Sequence, residues 1–351
     1  MKQTVLLQLL QLLREETDEN HRLSQQQIRD KMKERFGITL NRRTLKTYLD
    51  DLKAAGCPLN STAIGRQTAE GDDVSIQTGW YLEPEFESSE LRLLSDLLAA
   101  APALPGTQRD SLLAKLRRYA SPSFRERAAA ASPVYLHRAA NPQLLFSVEL
   151  LCEAMHTDCM VQFRYCSYQA DKQMHPQLVP RLNADGEPKI YTVSPYEIAV
   201  SHGQYYLLCC TEGHDNLSGY RIDRIEECRL LQERRRRPVS EIEGGVQLPQ
   251  HLAEHLYMYT GAPVECKFLI RADRLGDVVD WFRSTAEIAP TEDPSQLLVT
   301  VQVHPTAMQH WALQYGRYVT VLEPQSLRES VTEAVRSLAE RYGLPEQWEK
   351  A

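Results

Sequence analysis

The stretch that most constrains this chain is residues 194–225, SPYEIAVSHGQYYLLCCTEGHDNLSGYRIDRI. Three β-rich runs follow one another there, at 196–200, 204–210 and 219–225. Between the first two, Ser201-His202-Gly203 supplies the small and flexible residues a tight hairpin requires. The second run is apolar on both faces and reads as a buried central strand. The third carries Arg221, Asp223 and Arg224 among apolar neighbours, and a charge in a strand beside a core needs a partner or a ligand. Strict alternation puts Arg221 and Arg224 on opposite faces, so both reach one ligand only if the strand ends or bulges near Asp223. In the competing reading Asp223 pairs with one of the arginines and both seal a sheet edge.

A chain of 351 residues is too long for one ordinary core and suggests two to four domains. No apolar run approaches the ~20 residues of a spanning helix. The leucines of MKQTVLLQLLQLLREETDEN are interrupted by glutamines and lack a small-residue cleavage site, so the segment reads as an amphipathic helix and not a signal peptide. These features point to a cytoplasmic protein with no membrane partner. Eight cysteines (57, 152, 159, 166, 209, 210, 228 and 266) show no Cys-x-x-Cys and no histidine pair at ligand spacing. Buried thiols in a reducing cytosol, with no metal and no cofactor, are expected. The net charge of −7 argues against a surface coated for nucleic acid but leaves room for a local basic face.

Residues 1–83 read as three helices and a hairpin. The first helix covers 4–16. Ser24 and Gln27 form a capping-box pattern for a second, whose apolar stripe is Ile28, Met32 and Phe36 and whose stop is Gly37. Asn41 caps a third through about Ala55, with Gly56 as its left-handed end. Leu45, Tyr48, Leu49 and Leu52 share one face of that helix. Arg43, Lys46, Thr47 and Asp50 occupy the other, with Arg42 on the flank. After it, two short runs around a Thr-Ala-Glu-Gly-Asp-Asp loop read as a hairpin with Arg66 near its tip. Helix, helix, helix, hairpin is the order of a winged helix-turn-helix, whose third helix enters the major groove. Arg42, Arg43, Lys46, Thr47 and Arg66 are therefore the candidate contacts to a double-stranded DNA operator. Asp50 is a mild objection on that face, unless it accepts from a cytosine N4. A solvated basic helix face is the plain alternative.

Residues 84–140 read as a helical connector. Two helices, capped at Ser88 or Ser89 and at Thr107, are separated by PALPG (102–106). Helices of this kind connect and dimerise. Residues 121–140 have little pattern and read as a connection.

Residues 141–235 read as one helix followed by short strands, a strongly bent β-domain that is more barrel than open sheet. Here the chain resembles the WYL-domain transcriptional regulators of bacteria. The residues that carry the likeness are Ser194-Pro195-Tyr196, Tyr205-Tyr206-Leu207 and the run Tyr220 to Ile225, YRIDRI, with Tyr205 where the family has Trp. The resemblance implies a Sm-like, SH3-like barrel with a basic pocket for a nucleic-acid or nucleotide-like effector. The available donors agree: Arg221 and Arg224 offer forks suited to phosphate. Ser194, His202 and Tyr206 would donate beside them, and Tyr165 or Tyr191 would stack on a base. Tyr205 and Leu207 read as core. The run of four arginines at 234–237, ahead of Pro238, reads as the start of a solvated linker.

Residues 245–345 open with a short helix (251–261) and continue in the order β-α-β-β-α-β-α, a ferredoxin-like sandwich with an added helix. Leu275, Val278, Val279 and Phe282 are expected to face inward on its first helix. The order fits the C-terminal extension that follows WYL domains, which the resemblance implies for dimer contacts. His304, His310 and Trp311 read as structural.

The expected fold class is thus α+β multidomain, in four parts: 1–83, 84–140, 141–235 and 245–345. No glycine-rich phosphate loop, Gly-x-Ser-x-Gly or His-Glu-x-x-His occurs, so no catalytic residue is expected. The expectation is a homodimeric regulator whose operator binding is modulated by its effector. Two competitors stand beside it: a ligand-sensing or scaffold protein whose winged helix contacts protein, and an enzyme with a DNA-binding appendage.

Overall fold

A computed structural model describes residues 2–67, 73–128, 141–201, 203–242, 263–282 and 285–343. The expected helix at 251–261 and His202 lie outside the described residues. The chain divides into two compact units, Met1–Arg138 and Ala139–Ala351.

In the first unit α1 (Lys2–Glu16), α2 (Gln25–Phe36) and α3 (Arg42–Ala54) precede the hairpin of β1 (Leu59–Gln67) and β2 (Asp73–Leu82). Local chemistry sets the helix ends. Ser24 and Gln27 close a reciprocal capping box, and Gly37 ends α2 at φ 68°. The Asn41 side chain accepts from the Thr44 N–H at 2.7 Å, opening α3. Leu9, Leu13, Ile28, Leu45, Leu49 and Trp80 meet in one core, all fully buried. Leu23, between α1 and α2, bridges to Trp80 of β2. This extends the hairpin by a third short segment and ties it to the helices. Helices α4 (Ser88–Ala100), α5 (Gly106–Arg117) and α6 (Pro122–Ala128) follow. The residues at the cap positions of α4 and α5 are Glu87 and Pro105, not the expected Ser88 or Ser89 and Thr107.

The α1–α2 loop is fastened to α6 through Asp18, whose side chain is only 5% exposed. It accepts from the Ser123 N–H at 2.8 Å and lies 2.9 Å from His21 Nδ1, while His21 Nε2 faces Glu126 at 3.3 Å. Ser123 Oγ also meets Nδ1, at 3.2 Å. A catalytic relay needs the serine and the acid on different ring nitrogens. Here they share one, and the cluster is a latch between loop and helix.

The second unit opens with α7 (Leu144–His156). There follow β3 (Cys159–Ala170), β4 (Pro176–Pro180), β5 (Ile190–Ser201), β6 (Gln204–Thr211), β7 (Leu217–Arg221), a 3-10 turn (Ile222–Arg224) and β8 (Ile225–Arg235). Strands β3, β5, β6 and β7 pair in that order, all antiparallel, and β8 returns to pair with β3. The sheet therefore curls so that its last strand meets its first. Leu207 to Cys210 are buried without alternation, as expected of a central strand. Tyr205 is a correction: it is 36% exposed, because it pairs with Val200 beside the hairpin turn, beyond the covered part of the sheet.

The run of arginines is a second correction. Strand β8 extends through Arg235, and all four arginines are tied down. Arg234 pairs with Glu212, Arg235 donates to Thr157 O at 2.7 Å, Arg236 pairs with Asp158 at 2.6 Å, and Arg237 with Asp215 at 2.7 Å. Acceptors from the α7–β3 turn, β5 and the β6–β7 loop surround the run, a consequence of curling that no local pattern announces.

Strands β9 (Val264–Arg271), β10 (Glu287–Pro290), β11 (Gln296–Val303) and β12 (Val319–Glu323) alternate with α8 (Leu275–Phe282), α9 (Pro305–Gln314) and α10 (Gln325–Arg341). The expected β-α-β-β-α-β-α order is present. The sheet order is β10-β11-β9-β12, antiparallel throughout. Phe268, Phe282 and Trp311 pack in its core with ring centroids 4.9–5.9 Å apart. His304 caps α9, accepting from the Thr306 N–H at 3.3 Å. Val279, expected to face inward, is 51% exposed, whereas Val278 and Phe282 are buried.

Candidate functional site

Two surfaces carry the candidate residues. On α3 the buried Leu45, Leu49 and Leu52 turn Arg42, Arg43, Lys46, Thr47 and Asp50 to solvent. Arg42 is drawn aside by Gln25 Oε1 at 3.4 Å, and Thr47 Oγ1 donates to the Arg43 carbonyl at 3.1 Å. Arg43 and Lys46 carry no ion pair among the described residues, so their charge is available. Arg66 belongs to β1 near the hairpin tip, and its side chain lies outside the described residues.

The second surface forms where β7 ends. The strand stops at Arg221 and the chain turns through the 3-10 segment before β8 begins, so strict alternation does not govern Arg221 and Arg224. The Arg221 guanidinium grips Asp223 side-on, Nε to Oδ1 at 2.9 Å and Nη2 to Oδ2 at 2.6 Å. Nη2 also donates to Gln204 Oε1 at 2.9 Å. Asp223 is 5% exposed and Arg221 21%. Burial works against the Arg221 charge, but the Asp223 carboxylate more than offsets it and holds the guanidinium pKa above its usual value. The Arg224 guanidinium lies over the Tyr168 ring at 5.5 Å, with Nε buried and, among the described residues, without a hydrogen-bond partner.

The tyrosines lie beneath these cations. Rings of Tyr165, Tyr191, Tyr220 and Phe163 form a cluster with centroids 5.0–6.2 Å apart. Tyr165 and Tyr191 are each 7% exposed, so neither offers an open face to a base. Instead Arg181 lies over Tyr165 at 5.1 Å and Lys189 over Tyr191 at 4.9 Å. The Tyr165 hydroxyl accepts from the Arg221 N–H at 3.3 Å. Burial raises its pKa, with Arg224 and Arg181 both pulling the other way. Tyr206 sits opposite Arg221 in the sheet register and is half-buried, which raises its pKa as well.

Ser194 stands apart. It pairs with Cys210, four residues along β6 from Tyr206, about 13 Å at the ordinary strand rise. Its Oγ accepts from the Arg237 N–H at 3.0 Å, and it lines a separate cleft of about 210 Å³ with Cys210, His214 and Arg237. The structure thus gathers Arg221, Arg224, Tyr165, Tyr191 and Tyr206 and leaves Ser194 outside. Gln204, Arg181, Lys189 and Tyr168 join the site without having been singled out in the sequence. A buried Gln204 opening a strand was a readable signal, since a buried amide needs a partner. Arg181 and Lys189 gave none, because the turn between them brings them to the rings.

Family models give these features a class. The WYL domain matches residues 147–230 and the WCX domain residues 262–339. The curled sheet is thus similar to a WYL domain, and the four-stranded sheet after it to a WCX domain. No curated protein is similar enough to match. Among solved structures, the proteasome accessory factor B/C (PafBC) of Arthrobacter aurescens is 19% identical with a TM-score of 0.28, covering 97% of this chain and 49% of that one. This chain spans about half its length. A CRISPR Cas-related protein is 11% identical with a TM-score of 0.34, covering 97% and 85%. These superpositions are loose, and no reading of function rests on them. Among the described residues no helix is long and apolar enough to cross a membrane, and no cluster of His, Cys, Asp and Glu has the geometry to hold a metal ion.

Proposed function

We propose that this protein is a DNA-binding transcriptional regulator, active as a homodimer, whose WYL domain senses an anionic nucleic-acid or nucleotide-like effector. In this reading residues 1–83 are a winged helix-turn-helix, residues 84–140 its connector, the curled sheet a Sm/SH3-like barrel and residues 245–345 a ferredoxin-like sandwich. The observation that carries it is the outward face of α3: Arg43, Lys46 and Thr47 exposed on a helix whose opposite face is locked into the core. Such a helix is rigidly presented, and its cations reach phosphates or base edges in a major groove. The WYL site adds Arg181, Arg221 and Arg224, with Asp223 paired to Arg221, a set of cations suited to an anion.

An effector acts on operator binding only through unequal affinity for two arrangements of the chain. The test is duplex binding by the full chain, with operators selected from a random pool. Arg43→Glu with Lys46→Glu is expected to abolish binding and flatten its salt dependence, by about 0.9 in the log–log slope per lost phosphate contact. Duplex binding that survives both reversals refutes α3 as the DNA reader and favours a protein-contacting helix.

A further inference from the structure

The loop of residues 17–23, between α1 and α2, is held on both of its sides. Its own turn is closed by reciprocal backbone bonds between Asp18 and His21, both at 3.1 Å, and Asp18 Oδ1 accepts from the Asn20 and His21 N–H groups at 2.9 Å. On one side the latch described above fastens it to α6, with Asn20 Nδ2 adding a bond to Ser123 Oγ at 3.3 Å. On the other side it meets the hairpin. Leu23 and Trp80 exchange both backbone bonds, at 2.9 and 2.8 Å. Next to them Arg22 lays its guanidinium over the Tyr81 ring at 4.8 Å. Its Nε donates to the Glu19 carbonyl at 2.7 Å and its Nη1 to Thr62 Oγ1 at 2.9 Å.

These contacts fall where the hairpin bends. Asn60 pairs with Tyr81 and Thr62 with Thr78, so one residue of β1 stands against Gly79 and Trp80 of β2. Gly79 takes φ 62°, the left-handed value for which such a bulge uses glycine. A Cβ there would stand 3.5 Å from Thr62 Oγ1 and 3.6 Å from Arg22 Cδ, so the arginine stem fills the inside of the bend. Beyond it Thr62 to Gly65 and Gln77 are exposed, and none of the described side chains is buried. Two strands alone are marginally stable, so the direction of this outer half is fixed at its base.

We propose that Arg22 is a positioning residue that sets the direction of the outer hairpin against duplex DNA and so places Arg66. The inference rests on the reading of residues 1–83 as a winged helix-turn-helix. At about 3.4 Å per residue, Thr62 to Gln67 makes an arm of about 17 Å, and a turn of about 15° at the bend moves its end by about 4 Å, enough to take a side chain out of hydrogen-bond reach. The α6 latch holds the loop that carries Arg22, so the guanidinium itself has a fixed origin. Losing it leaves the core intact, because Glu19 and Thr62 are exposed and bond to water in its place.

The probe is a duplex selected by the full chain from a random pool, titrated by fluorescence anisotropy with the parent, Arg22→Ala, Arg66→Ala and the double variant. Arg66→Ala is expected to weaken binding about tenfold and to lower the salt slope by about 0.9, as for one charge-assisted phosphate contact. Arg22→Ala should do the same by misplacing Arg66, and the double variant should bind no more weakly than either single one. Independent effects would instead multiply to about a hundredfold. Arg22→Lys keeps the charge but has no fork to join Glu19 and Thr62 across the Tyr81 ring, so it should bind like Arg22→Ala. Thr62→Val removes only the Nη1 acceptor and should show the same dependence on Arg66 in weaker form, with a melting temperature equal to the parent's. A hundredfold loss in the double variant, full affinity for Arg22→Lys, or parent affinity for Arg66→Ala overturns the positioning role and leaves α3 as the DNA reader. Failure of the parent to select any duplex overturns the winged-helix reading and the positioning role together.

Discussion

The Arg221–Asp223 pair is the most exposed to a decisive test, because its two halves are buried to different depths. Asp223, 5% exposed, has little access to water, so Arg221→Met leaves an uncompensated buried carboxylate. Breaking a buried pair in this way costs about 3–5 kcal/mol. Asp223→Ala leaves the cation, and because Arg221 is 21% exposed and still bonded to Gln204 the cost falls near the lower end, about 3 kcal/mol. The double variant removes both charges and is expected within about 1–2 kcal/mol of the parent, since apolar replacement of a buried pair is often nearly neutral. The four tryptophans lie at 80, 281, 311 and 348, all outside 141–235, so their fluorescence does not report on this sheet. Hydrogen exchange of peptides spanning 204–235 does. At about 1.4 kcal/mol per tenfold, each single variant should speed exchange there by at least about a hundredfold, with most of the loss restored in the double. Single variants that exchange at the parent rate, or a double variant as labile as the sum of the singles, would refute the buried-pair argument.

Three further outcomes follow from the geometry. The hydrogen bond His21 donates to Asp18, joined by the charges of Asp18 and Glu126, raises the His21 pKa in the folded chain despite its partial burial. The latch to α6 therefore stabilises the first unit fully below the ordinary histidine pKa and loses that contribution as pH rises through the folded value; thermal melts of the parent should show the loss and His21→Gln should not. Val278→Asp, placing a charge in a fully buried site, should unfold the C-terminal sheet or lower its melting temperature sharply, whereas Val279→Asp at a half-exposed site should melt like the parent. Arg237 binds the 211–216 loop through His214 O at 3.1 Å and Asp215, and the segment after β8 through Glu241 O at 2.6 Å. Arg237→Ala should raise hydrogen exchange in both segments together and leave β9–β12 unchanged.

Much of the fold was legible because its signals are local. Ser24 with Gln27, Asn41 and Gly37 act on backbone groups within one helical turn, and all three stand at the ends where their chemistry places them. The 3.6-residue spacing of Leu45, Leu49 and Leu52 assigns a buried face, and with it the outward face of Arg43 and Lys46. Cap positions without side-chain specificity, such as Glu87 and Pro105, were misplaced by a residue or two. Val279 misled because a helix of two turns has neighbours on only part of its apolar side, and the spacing of four hydrophobic residues does not say which part.

The candidate site divides along the same line. From the sequence alone came the presence of two arginines flanking an aspartate, the WYL-type runs around them and the requirement that the charges find partners. Which arginine took the aspartate was decided by the tertiary structure: ending β7 at Arg221 lets its guanidinium turn side-on to Asp223 while Gln204 closes from β6. Curling the sheet tied down the four-arginine run, sent Ser194 to another cleft and set Arg181 and Lys189 on rings contributed by β3 and β5. Local chemistry sets where elements begin and which face is apolar, because its forces act over a few residues. The pairing of charges depends on distances between segments far apart in the chain, and those distances exist only once the strands have closed.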